Sequence, residues 1–330
     1  ARRLVGRVPV SVIMIDLQNT PPPPDWGVAI DEGAIRSLAV EWAGTSFPLP
    51  EFNYPGIPVV RREDWWFDYV TLAVSVLACL WPPDDKAVWH VDYQGDWLDD
   101  APGVFAAFTK VLGSEGVDLD WFANLRDEDG SALFAGRGTL QMIPDRVQTL
   151  RTVARQIQNR WDGSAANLVA AAGRDGREIV RLLIETMPAY VDRPMTSAGV
   201  ANFDKLAHLA AAIMAAGLGW SDAGFSGYDG FPVYPDYMLP RVFREYGIIG
   251  YAPALAELID AQLLVPKDSN AEHGIRWATV YAGAQLSRAL AAQGAVVTGP
   301  ALDYRLWSIA VLGPDARSFG EHHRTVTLAY

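Results

Sequence analysis

Apolar positions along this chain recur mainly at intervals of three and four. From Asp31 onward Ile35, Leu38, Ala39 and Trp42 fall on one face, which predicts a helix. Proline near the first turn and glycine near the end mark further helices in APGVFAAFTKVLGSEG, IPDRVQTLRTVARQIQNRW and GREIVRLLIETMP. Others are expected in FDKLAHLAAAIMAAGLG, LPRVFREYG, APALAELIDAQ, AEHGIRWATVYAGAQLSRALAAQG and ALDYRLWSIAVLG. The run DWWFDYVTLAVSVLACLW is apolar nearly throughout and closed by two prolines, so it is expected as a buried helix with room for one break. Strand-like pieces are few: PVSVIMID, rich in Val and Ile, a short hairpin strand in WHVDYQG, and the alternating end HHRTVTLAY. NTPPPPDW cannot form regular structure, because proline lacks an N–H and fixes φ, and it reads as a rigid arm. With no repeat and no flexible linker, the expected fold is mainly α. It is one compact helical domain over residues 1–330, with an N-terminal arm of about 1–30 and a minor β element near the termini.

Composition narrows the function. Half of the 330 residues are apolar and 20% are charged, enough for a sizeable core. A net charge of −12 disfavours a nucleic-acid polymer, since the dense basic spots are only ARRLVGR and pairs such as Arg61–Arg62. A single nucleotide needs only a local positive site. Cys79 has no second cysteine to pair with and sits in an apolar run, which suits a core position in a reducing compartment. VPVSVIMID is too short for a membrane span and is closed by Asp16, so the expectation is a cytoplasmic protein with no membrane partner. Five dispersed histidines offer no metal-ligand spacing, and neither phosphate-cradling glycine motifs nor a GxSxG elbow occurs.

What remains is a set of polar residues in aromatic company. In FPVYPDYMLPRVFREYG, Asp236 stands between Tyr234 and Tyr237 at the mouth of an amphipathic segment. A carboxylate there either supports a helix N-terminus or serves chemistry. Lys205 in FDKLAHL lies on an otherwise apolar helix and either snorkels outward or faces a site. Glu272 and Arg276 are spaced as an i,i+4 ion pair. LDYRLW presents Asp303, Tyr304 and Trp307, and EHHRT presents His323 and Arg324, a pair able to hold a phosphate or to sit in solvent.

In this order, the segments resemble the queuosine salvage proteins, the queuosine-5′-phosphate N-glycosylases. The pattern FxKRAQ is met by Phe203, Lys205 and Ala207. FADYRLPQVLxxLG is met by Asp236, Tyr237, Leu239, Pro240, Val242 and Gly247, with Tyr251 following. EVEIR, LDYYLW and HRxRxIYY are met by Glu272, Ile275 and Arg276, then by Leu302, Asp303, Tyr304, Leu306 and Trp307, then by His323, Arg324 and Tyr330. The departures are specific. Val74 and Leu77 replace an acid and an amide of DALNF[CS]FW, and Asn53 stands where a pocket histidine is expected. Tyr234 replaces a phenylalanine, Met238 an arginine, Gly274 a glutamate and Ser308 an acid.

The resemblance implies the helical fold of that DNA-glycosylase-like family. It also implies hydrolysis of the N-glycosidic bond of queuosine 5′-monophosphate, or of a related 7-deazaguanine nucleotide, with no cofactor and no metal. Asp236 is then the catalytic carboxylate. Tyr234, Tyr237, Asp303, Tyr304, Trp307 and Asn53 become substrate-binding residues, with Asp303 accepting from the base. Lys205, His323 and Arg324 become candidates for the 5′-phosphate. The only expected partner is the small nucleotide, bound by a monomer. With Val74, Leu77 and Ser308 apolar or uncharged, Asp303 is the best remaining acceptor for a cationic base, so selection for it should be weak. A non-catalytic nucleotide- or base-binding protein on the same fold is the alternative.

Overall fold

The computed structural model describes residues 13–330 apart from 60, 84–85, 114–115 and 315–317. The basic stretch ARRLVGR and the first half of PVSVIMID lie outside the described residues. The fold is mainly α. Helices appear where periodicity placed them, among them Glu32–Glu41, Ile143–Arg160, Gly176–Thr186, Lys205–Ala216, Met238–Glu245, Asn270–Ala292 and Gly299–Val311. Short helices at Leu119–Ala123 and Asp127–Leu133 were not expected. They span too few turns for a period of 3.6 to register.

Strands are minor. Met14–Ile15 pairs in parallel with Gly199–Ala201, which also pairs antiparallel with Met195–Thr196. Val28–Ile30 runs antiparallel to Ile249–Tyr251, and Val91–Tyr93 with Asp96–Leu98 forms the expected hairpin. HHRTVTLAY is extended but enters no named strand; Arg324 makes one bridge to Leu264.

The apolar side chains gather into two main clusters. One is built on the helices Glu63–Val74, Asp100–Thr109, Ile143–Arg160, Gly176–Thr186 and Lys205–Ala216. The other is built on Glu32–Glu41, Met238–Glu245, Pro253–Asp260, Asn270–Ala292 and Gly299–Val311. The Pro-rich arm lies along the second group. Trp26 is buried edge-on against Trp277 at 5.6 Å, and Trp277 Nε1 donates to Thr20 O at 2.6 Å. Gly274 lets the arm pack closely, since a Cβ there would come within 3.2 Å of Trp26 Cβ and 3.3 Å of Val28 Cγ2. A glutamate at this position would press on the arm, which must give by a few tenths of an ångström to admit it.

The long apolar run departs from expectation in a way that shapes the site. Its helix covers only Glu63–Val74, and residues 75–81 are irregular although buried, with Cys79 at φ 51°. Buried irregular backbone needs partners for its polar groups. Arg146 supplies them from the Ile143–Arg160 helix. Its guanidinium donates to Val76 O, to Ala78 O at 2.7 Å and to Cys79 O at 3.0 Å, and its Nε to Gln141 O at 2.8 Å. Burial pushes this arginine down to about 10. Cys79 N donates to Tyr330 O at 3.0 Å, so Tyr330 also holds the break.

Candidate active site

At the seam of the two clusters lies a cavity. The broken run contributes Leu77 and Leu80 to its wall, and the Lys205–Ala216 helix contributes Lys205, Leu209 and Ile213. Phe52, Tyr54, Tyr304 and Trp307 form an aromatic side. Tyr54 lies 5.2 Å from Trp307 and 6.3 Å from Tyr304, while Tyr304 stacks on Trp307 at 6.1 Å with 27° between planes. Such rings present faces suited to a flat base.

The segment from Phe231 to Asp236 is set by close approach. Gly299 begins the Gly299–Val311 helix against it, where a Cβ would sit 1.9 Å from Phe231 O. Tyr234 N then donates to Asp303 Oδ1 at 2.7 Å, joining the loop to that helix. One step further, Arg276 Nε donates to Pro235 O at 3.3 Å. Arg276 itself is buried between the rings of Phe203 at 3.9 Å and Tyr330 at 4.1 Å, and pairs with Asp192 and with Glu272 at 3.2 Å. Burial alone would lower its pKa, but the two carboxylates raise it. Arg276 is thus the rigid post behind Asp236.

Asp236 combines a place at a helix start with a place in the cavity wall. Its Oδ1 accepts from Met238 N at 2.8 Å and Leu239 N at 3.0 Å, the first two N–H groups of the Met238–Glu245 helix. The same residue lines the cavity. Its pKa is raised by burial, and Lys205 and the backbone donors offset only part of that rise.

Lys205 does not snorkel. It is 6% exposed, and its Nζ donates to Leu77 O at 3.4 Å. Burial lowers its pKa, while Asp236, Asp303 and Asp100 raise it. Asp303, 8% exposed, is pushed well above the carboxylate range by burial and by Asp236. The third acid, Asp100, was missed in the sequence. It is the first residue of the Asp100–Thr109 helix, at φ 46°, and Tyr237 Oη donates to it at 3.5 Å. An acid after a hairpin reads as an ordinary helix-start residue, and no local signal says it turns inward.

Of the residues expected at the site, Asp236, Tyr234, Tyr237, Lys205, Asp303, Tyr304 and Trp307 line this cavity together. Three expectations need correction. Asn53 is exposed and bonded to Glu51 at 2.6 Å and Arg61 at 2.6 Å, while its neighbours Phe52 and Tyr54 face the cavity. His323 is buried against Tyr330 at 5.9 Å, with burial pushing its pKa down to about 3, so it carries no charge for a phosphate. Arg324 sits over the Trp81 ring at 5.4 Å and donates to Gln262, away from the cavity lining. Val74 and Ser308 do not line the cavity either; Leu77 does.

Fold and site define a helical protein with an aromatic cavity lined by three acids and one lysine. The profile of the queuosine salvage proteins matches residues 61–330, and the chain belongs to that family. Queuosine 5′-phosphate N-glycosylase/hydrolase of Sphaerobacter thermophilus is 27% identical over 92% of this chain and 93% of its own. The proteins of that name from Dictyostelium discoideum and Bos taurus are each 22% identical, over 84% and 86% of this chain and 84% and 88% of theirs. No helix among the described residues is long and apolar enough to cross a membrane.

Proposed function

We propose that this chain hydrolyses the N-glycosidic bond of queuosine 5′-phosphate, releasing queuine and ribose 5-phosphate. The observation that carries the reading is Asp236. It is a carboxylate fixed by two helix N–H groups, facing an aromatic cavity, with Lys205 as counter-charge. Cleavage of the C1′–N bond leaves its electron pair on the base and positive charge on the ribose ring. A fixed anion beneath that ring stabilises the charge most where water is excluded. Water then adds hydroxide to C1′, and its proton ends on the released base. Asp303 lies where it can meet the polar edge of the base, and Tyr234, Tyr304 and Trp307 offer it stacking faces.

Lys205 faces three carboxylates, so its first role is to balance them; a phosphate brought to it would add to negative charge already present. The net charge of −12 supports a free nucleotide over a nucleic-acid polymer as substrate. The expected setting is a single-domain monomer in the cytoplasm. The test is incubation with queuosine 5′-monophosphate, with queuine and ribose 5-phosphate measured by mass spectrometry. Stoichiometric release of both is expected. A folded protein that binds the nucleotide and releases neither would overturn hydrolysis and leave a binding protein.

A further inference from the structure

We propose that Asp100 reads a cationic substituent on the base, pairing with the secondary ammonium of the aminomethyl-cyclopentenediol arm that distinguishes queuine from plain 7-deazaguanine. The inference rests on the proposed substrate and adds a specificity residue to it.

The first observation is placement. Asp100, with Leu80, Tyr237 and Met238, belongs both to the cavity wall and to an adjoining groove that also includes Trp81, Asp99 and Arg241. A base seated among Tyr304, Trp307 and Asp303 can send a substituent toward that shared wall. The second is charge. Three acids, Asp100, Asp236 and Asp303, share the cavity wall with a single basic side chain, Lys205. Two of the three acids are committed to backbone: Asp236 to Met238 N and Leu239 N, Asp303 to Tyr234 N. Asp100 has the Tyr237 hydroxyl at 3.5 Å and the backbone of Ala101, which leaves acceptor capacity for an incoming donor.

The third observation is backbone cost. At φ 46° a glycine would sit without strain, and a side chain there costs free energy. The carboxylate also makes no helix-capping bond that would offset this: the cap residue is Asp99, whose side chain accepts none either. Burial, Asp99 and Asp236 together push Asp100 up to about 6. That is the state of an acid awaiting a counter-charge. Tyr54, Leu77, Leu80, Ala101 and Phe105 line the same cavity, and an ammonium arriving beside apolar walls gains a stronger pairing than in water. The weak selection expected from Val74, Leu77 and Ser308 is therefore reversed by an acid on a different helix.

The test measures kcat/KM for queuosine 5′-monophosphate and for 7-deazaguanosine 5′-monophosphate, in the wild type, Asp100→Asn and Asp100→Gly. The wild type should prefer the armed nucleotide. Each variant should lower that preference about tenfold or more, the weight of one hydrogen bond to a charged group. Asp100→Gly relieves the strained φ, so it should melt no lower than the wild type while losing selectivity, which a merely structural residue would not do. An unchanged ratio, or equal losses on both nucleotides, overturns the inference. If the wild type cleaves neither nucleotide, the functional reading fails on its own. Calorimetric binding of queuine against 7-deazaguanine to wild type and Asp100→Gly then still decides Asp100: equal loss of both bases, or of neither, rejects it.

Discussion

Asp236→Asn separates the two jobs that one side chain performs. The carboxylate uses Oδ1 for the N–H groups of Met238 and Leu239, at 2.8 and 3.0 Å. An amide keeps an acceptor oxygen in that place, and asparagine ranks with aspartate at helix starts, so stability should change by no more than about 0.5 kcal/mol. Asp236→Ala removes the acceptor and should cost about 1 kcal/mol. Catalysis divides differently. Both variants lose the negative charge facing the cavity, and loss of one preorganised electrostatic contact typically lowers turnover by about 10²- to 10³-fold. The assay pairs urea unfolding with single-turnover release of free base, followed by chromatography. The expected pattern is two similarly inactive proteins, one with wild-type stability and one slightly weakened. An Asp236→Asn protein that melts like the wild type and turns over within about tenfold of it would refute the electrostatic role.

Three further outcomes follow from the same geometry. Lys205→Met removes the cation that opposes burial at Asp236, so that carboxyl should hold its proton to higher pH and the acid limb of kcat/KM should move upward; an unmoved limb would detach Lys205 from Asp236. Arg146→Met leaves the carbonyls of Val76, Ala78 and Cys79 without their donor, and urea unfolding should show a loss of about 3–5 kcal/mol with a weakened cavity wall; a loss under about 1 kcal/mol would mean the break holds itself. Asp68, buried and accepting from Ala165 N, is pushed up to about 6 chiefly by burial. The folded state therefore holds its proton more tightly than the unfolded chain, and this stabilisation is lost as pH rises from about 4 through about 6. Asp68→Asn should accordingly gain on the wild type in melting temperature over that interval, by the equivalent of roughly 3 kcal/mol, whereas a pH-independent difference would refute the shift.

Much of the molecule was legible along the chain because its cues are local. The face made by Ile35, Leu38, Ala39 and Trp42 becomes the buried face of Glu32–Glu41, since helical periodicity needs only neighbours three and four residues away. Asp236 stood out because tyrosines and prolines surround it in sequence, and Glu272–Arg276 because a helix brings i and i+4 together. His323 and Arg324 failed for the converse reason: adjacency in sequence says nothing about the rings that Tyr330 and Trp81 place over them.

The cavity itself came only from tertiary structure. DWWFDYVTLAVSVLACLW carries no residue that must end a helix at Val74. The break exists because Arg146, about seventy residues later, satisfies the carbonyls a helix would otherwise have bonded. In sequence Arg146 is one arginine among several on an amphipathic helix, and only packing against the break gives it a partner. Asp100 is likewise an ordinary helix-start acid until its positive φ and the approach of Tyr237 turn it toward Asp236 and Lys205. Local propensity chose the elements, but the charges that share one cavity were chosen by contacts distant in sequence, whose energies no short window contains.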